Sequence, residues 1–184
     1  PWLLKVLKDS SKVEPYFNRT GTIADFRNVK RLNFSEYWPS WGELGGIQLF
    51  PNLQSMWYES REPLPRIRPL VELIEHMPKL VNLEVVGVQL EDLSYLQALE
   101  DLTMVTLYAN QISNIDVLPF VPSLTYVNLQ QNNVERIDAL LRMRSLEGVI
   151  LDENPLNERA LNVYMPRLVS RGVEVWYQGQ RQTE

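Results

Sequence analysis

The segment LTYVNLQQNNVERIDALLRMRSLEGVILDENPL, residues 124 to 156, states one pattern twice. Leu124, Val127, Leu129, Asn132, Val134, Ile137 and Leu140 are answered 22 residues later by Leu146, Val149, Leu151, Asn154 and Leu156. The pattern runs backwards through Leu102, Val105, Leu107, Asn110, Ile112, Ile115 and Leu118 to Leu80, Leu83, Val85, Leu90, Leu93 and Leu96. Longer units open at Leu53, with Met56 and Tyr58, and at Val29, with Leu32 and Phe34, 27 and 24 residues before the next start. A fixed period of this length restricts the chain to a stack: no single unit can bury its own apolar face, and each neighbour completes the core of the last.

Within each unit the alternation of apolar and polar residues predicts a short strand, with every second side chain inward. Successive strands then stack in parallel, and the rest of the unit returns by a turn and an irregular or short helical segment. The asparagine in each repeat follows from the turn. There the backbone N–H and C=O groups point into the stack, away from water, and need partners. An asparagine offers a donor and an acceptor at once, so Asn110, Asn132 and Asn154 are expected to form a buried ladder that bonds the turn backbone of their own and adjacent repeats.

A chain of 184 residues supports one domain with a substantial core, and 45% hydrophobic with 22% charged residues is an ordinary globular composition. The net charge of -5 gives no general attraction to phosphate backbones, which argues against nucleic acid as a partner. With no cysteine, a disulfide framework, a thiolate metal site and a cysteine nucleophile are all excluded. The longest apolar stretches, such as Trp2 to Leu7, fall far short of the roughly 20 residues that span a bilayer. The opening at Pro1 suggests that a signal peptide or anchor has been removed.

The motif LxxLxLxxNxI, as in LTMVTLYANQI and LTYVNLQQNNV, resembles leucine-rich repeat proteins of the short 22-residue class, like the repeats of bacterial internalins. The tail NPLNERALNVYMPRLVSRGVEVWY, residues 154 to 177, is similar to the terminal module of many bacterial leucine-rich repeat arrays, in which a helix, a proline and an RGV strand close the stack. The early repeats depart from the pattern, with Tyr37, Arg61 and Val88 in the asparagine slot. The resemblance implies a right-handed α/β solenoid with a parallel concave sheet, a non-catalytic role in recognition, and a bacterial surface, secreted or periplasmic setting; a cytoplasmic one is the alternative.

The expected organisation is a helical cap over 1–28, about six repeats over 29–156 starting near residues 29, 53, 80, 102, 124 and 146, and a helix-strand cap over 157–184. In the closing cap Asn157 suits an N-cap, Pro166 the start of a second short helix and Gly172 its exit. Val173, Val175 and Tyr177 point one way and Glu174 and Trp176 the other, as a last strand.

No catalytic constellation stands out. His76 is the only histidine, and no serine or threonine sits in a nucleophile motif with it. GELGG, residues 42 to 46, lacks the lysine of a phosphate loop. No cofactor or metal is expected; a rival reading would gather Glu84, Asp152 and Glu174 around an ion.

The strand alternation also fixes what faces out of the concave sheet. A central column is expected to run Asn33, Trp57, Glu84, Thr106, Asn128, Ile150 and Glu174. A second, two residues later, runs Ser35, Glu59, Val86, Tyr108, Gln130, Asp152 and Trp176, and a third includes Met104 and Tyr126. Apolar and aromatic side chains in water mark a recognition surface. Trp57, Val86, Met104, Tyr108, Tyr126, Ile150 and Trp176 supply them, oriented by Glu84, Asn128, Gln130 and Asp152. The expected partner is a protein; the alternatives are a glycan-binding surface protein or a structural spacer fragment of a larger bacterial protein, and the chain is expected to be a monomer.

Overall fold

The computed structural model describes residues 29–33, 50–59 and 77–183. The expected cap over 1–28, the segment 61–70 and His76 lie outside the described residues. Within them, eight strands form one sheet in sequence order: β1 (Arg31–Asn33), β2 (Ser55–Glu59), β3 (Asn82–Val86), β4 (Met104–Thr106), β5 (Tyr126–Asn128), β6 (Gly148–Ile150), β7 (Glu174–Tyr177) and β8 (Gln180–Arg181). The first seven pair in parallel and β8 is antiparallel to β7. This is a leucine-rich repeat solenoid, with the strands on its concave side.

The inward residues of the parallel strands form a continuous aliphatic stack. Leu32, Met56, Leu83, Val105, Val127, Val149 and Val175 pair in register across seven strands, and none is more than 3% exposed. Consecutive members of this row are 24, 27, 22, 22, 22 and 26 residues apart. The pairing therefore absorbs unequal connections without losing register.

The return segments are short 3₁₀ helices at Ser94–Ala98, Leu118–Phe120 and Asp138–Arg142, which bury Leu96, Leu118 and Leu140. Their slenderness has a geometric reason. Strands stack about 4.8 Å apart, whereas packed α-helices need 8–10 Å. Narrow 3₁₀ turns reduce that mismatch between the two sides of each repeat.

The turns leaving β4, β5 and β6 are organised by Asn110, Asn132 and Asn154, each 5–8% exposed. Asn132 Nδ2 donates to the carbonyls of Leu107, Leu129 and Gln130 at 2.8, 2.9 and 3.2 Å, and its Oδ1 accepts from the Ile112 amide at 3.0 Å. Asn154 repeats the arrangement on Leu129, Leu151, Asp152 and Val134. Each side chain thus holds its own turn and reaches back into the preceding repeat. Immediately before each asparagine the backbone turns left-handed, with φ of 56° at Ala109, 54° at Gln131 and 55° at Glu153; Gly87 holds the equivalent position at 71°.

The closing module differs from the two helices expected. A π-helical turn, Ala160–Tyr164, runs directly into α1 (Met165–Ser170), and the Met165 amide bonds to the Ala160 carbonyl, five residues back. Pro166, at the start of α1, has no N–H to donate, and the wider π turn before it makes room for its ring. Asn157 caps the run, its Oδ1 accepting from the Ala160 amide at 2.9 Å. At the exit Gly172 (φ 84°) and Val173 donate to the carbonyls of Val169 and Leu168, a Schellman stop. The Arg171 guanidinium fastens the module to the last repeat through the carbonyls of Leu141 and Met143, at 2.9 and 2.7 Å.

After β7 the chain reverses at Gln178 and Gly179, with φ of 56° and 69°, a two-residue turn whose twist suits a hairpin. β8 thereby occupies the free edge of β7.

Candidate recognition face

Alternation along each strand lifts three columns of side chains from the concave sheet. In the central column Trp57 pairs with Glu84, Glu84 with Thr106, Thr106 with Asn128, Asn128 with Ile150, and Ile150 with Trp176. The flanking column runs Asn82, Met104, Tyr126, Gly148 and Glu174. Two expected placements are corrected here: Glu174 belongs to the flanking column and Trp176 to the central one. The last connection spans 26 residues, not 24. A two-residue slip keeps each side chain on its face and moves it one column along, so alternation alone could not detect it.

The outward aromatic and apolar residues do meet solvent. Trp57, Met104, Tyr126 and Trp176 are 37–42% exposed, whereas Val86, Tyr108 and Ile150 are half-buried. Between β4 and β7 the face sinks into a concavity of about 280 Å³ walled by Met104, Tyr126, Asn128, Ile150, Glu174 and Trp176, with Gly148 on its floor. A Cβ at Gly148 would stand 2.7 Å from the Tyr126 ring, so the missing side chain is what lets that ring lie against β6. Sequence reasoning passed over Gly148. Its signal was present: it stands 22 residues after Tyr126, where an outward side chain was due.

The polar residues divide into committed and uncommitted groups. Asp152 Oδ1 accepts from the Gly179 amide at 2.6 Å, so this carboxylate steadies the closing hairpin as well as standing beside half-buried Gln130. Glu174 pairs with Arg181 at 2.8 Å. Asn128 bonds the Gln130 amide at 2.9 Å, and Gln130 reaches Glu153 at 3.2 Å. The Glu147 carboxylate, bonded to the Tyr126 hydroxyl, holds that phenol above the ordinary tyrosine value, with Glu174 adding to it. Glu84 is half-buried and its carboxylate has neither a hydrogen bond nor an ion pair among the described residues, and loss of water raises its pKa above the usual glutamate value.

An ion shared by Glu84, Asp152 and Glu174 does not fit this geometry. β3 and β7 are four strand spacings apart, about 19 Å at 4.8 Å per step. Among the described residues no group of three or more acidic or histidine side chains is gathered as a metal site, and no helix is long and apolar enough to cross a membrane.

No protein-family model matches the chain, and no curated protein matches it. Solved structures do. An internalin C2 of Listeria monocytogenes superposes with a TM-score of 0.65 at 21% identity, over 95% of this chain and 81% of that one. An internalin (InlF) of the same species gives 0.64 at 16% identity over 95% of this chain and 54% of its own, so this chain spans about half its length. A chain of the Drosophila Toll–Spätzle complex matches over 72% of this chain and 18% of its own, with a TM-score of 0.54 and 22% identity. At these identities the likeness is one of fold.

Proposed function

We propose that this chain is a non-catalytic recognition module that binds a protein partner through its concave face. The observation that carries the reading is the exposure of Trp57, Met104, Tyr126 and Trp176 on a sheet in which β2 to β7 are each paired on both sides. Large apolar side chains held in water on a rigid scaffold are the anchors from which interfaces draw most of their energy. The contact residues of this reading are those four with Glu84, Val86, Tyr108, Asn128, Gln130, Ile150 and Asp152. The Toll–Spätzle complex supports a protein as partner, because there the same fold is named together with a bound protein. The internalin likeness supports a bacterial surface, secreted or periplasmic setting. The net charge of -5 favours a monomer held apart from its copies and disfavours nucleic acid.

The test compares wild type with a Trp57→Ala, Tyr126→Ala double variant in affinity capture from envelope and host fractions, after matching their thermal melts. A protein retained by wild type and lost by the variant supports the reading. A glycan retained in its place, or identical captures, overturns it.

A further inference from the structure

The carboxylates of the concave face are not equivalent. Glu174 has Arg181, and Asp152 has the Gly179 amide. Glu84 has neither, although it sits in the middle of the sheet with Trp57 on one side and Thr106 on the other. Across β2 to β6 the strand residues include Glu59 and Glu84 and no lysine, arginine or histidine.

Half-burying an ionised carboxylate beside an indole, with no cation among the described residues to meet it, works against the fold. Desolvation is the cause of Glu84's raised pKa. Groups that weaken a fold while lying on its exposed functional face are those a ligand completes. Trp57, 37% exposed, supplies the second half of such a site. An indole face attracts a cation and accommodates the aliphatic stem behind it.

We infer that the segment received by this face is basic: it presents a lysine or arginine whose charge meets Glu84 and whose stem lies along Trp57. The inference rests on the concave-face reading above and adds the chemistry of the partner. The cation gives Glu84 the neighbour that the described residues do not supply, while Met104, Tyr126 and Ile150 take apolar residues of the same segment. A neutral or acidic segment would leave Glu84 buried and unpaired, which is a penalty against the wrong partner.

The probe is a phage-displayed library of random dodecapeptides selected on the immobilised chain, with selected peptides then synthesised and titrated by Trp fluorescence and calorimetry. The expected peptides lose binding to the Trp57→Ala, Tyr126→Ala variant and contain a lysine or arginine that cannot be spared. Replacing it by norleucine or citrulline weakens binding at least tenfold, and Glu84→Gln weakens the parent peptide to a similar degree. Combining the two changes costs little more than either alone, the mark of a direct pair. Glu84→Gln removes a charge that is unpaired among the described residues, so its melting temperature holds or rises and misfolding does not mimic the result. Peptides that need Trp57 and Tyr126 yet bind equally well with a neutral residue, or to Glu84→Gln, overturn the basic partner and leave the concave face standing. Peptides indifferent to the Trp57→Ala, Tyr126→Ala variant overturn both.

Discussion

The turn that leaves β3 and the turns that leave β4 and β5 solve the same problem with different residues. After β4 and β5 a left-handed residue is followed by a buried asparagine: Ala109–Asn110, then Gln131–Asn132. After β3 the residue equivalent to Ala109 is Gly87, one of two left-handed residues in this turn with Gln89 (φ 61°), and the next after Gly87 is Val88, which is 1% exposed and has no polar group in its side chain. Yet this turn is not left unpaired. The amides of Val88 and Leu90 both donate to Asn110 Oδ1, at 3.1 Å each, and Asn110 Nδ2 donates to the Val85 carbonyl at 2.8 Å. Asn132 and Asn154 each accept only one such amide from the turn before. An asparagine in this stack serves its predecessor as much as itself, so a repeat can lose its own provided the next one keeps its own.

The sharpest way to break that comparison is Asn110→Ala. It strands two buried amides and removes the donor to three carbonyls, and is expected to cost about 2–4 kcal/mol. Denaturant titration would show it, and a cost below that of Asn132→Ala would contradict the double duty assigned to Asn110. Asn132→Ala strands one such amide and is expected to cost about 1–3 kcal/mol; an unchanged melting temperature would remove it from the buried ladder. Gly87→Ala places a Cβ at φ 71° and should lower stability by about 1 kcal/mol. The mirror change, Ala109→Gly, relieves the same strain but frees the unfolded chain, so it should fall within about 0.5 kcal/mol of wild type. A large loss there would mean that the Ala109 methyl matters more than its backbone angle.

The smallest expected effect concerns pH. An acid whose folded pKa is raised weakens the fold once ionised. The penalty of Glu84 is therefore absent below the unfolded glutamate value, grows as pH rises toward the higher folded value, and is complete above it. Melts of wild type and Glu84→Gln should coincide in acid and separate slightly in favour of the variant near neutrality. The reverse order would show that Glu84 has a stabilising partner.

How much of this was legible follows from what each pattern constrains. The strands and their inward faces were readable because burial demands an aliphatic residue at Val105, Val127 and Val149, and the 22-residue step repeats that demand. The ladder was readable because a polar residue in an aliphatic register needs a reason. The left-handed positions were not: Ala109, Gln131 and Glu153 carry no sign of φ in their identities, unlike Gly87. On the candidate face, alternation placed Trp57, Met104 and Tyr126 outward, but Glu174 and Trp176 were shifted by a connection whose length a helix conceals. The hairpin at Gln178 and Gly179 escaped because Gln180 and Arg181, both exposed, lack the alternating apolar pattern that announces a strand. With it went the engagement of Asp152.

The unequal steps between paired strands carry a consequence for how such a molecule varies over time. Connections of 22, 26 and 27 residues all deliver their strands to the same register. Insertions and deletions in the return segments therefore alter the outer contour and leave the spacing of the concave columns untouched. Substitutions at outward positions such as Glu84 or Tyr126 do the opposite, changing what the face prefers without disturbing the stack that presents it. The two surfaces are separately heritable: one lineage can remodel its exterior while conserving its ligand, and another can change ligand on an unaltered frame.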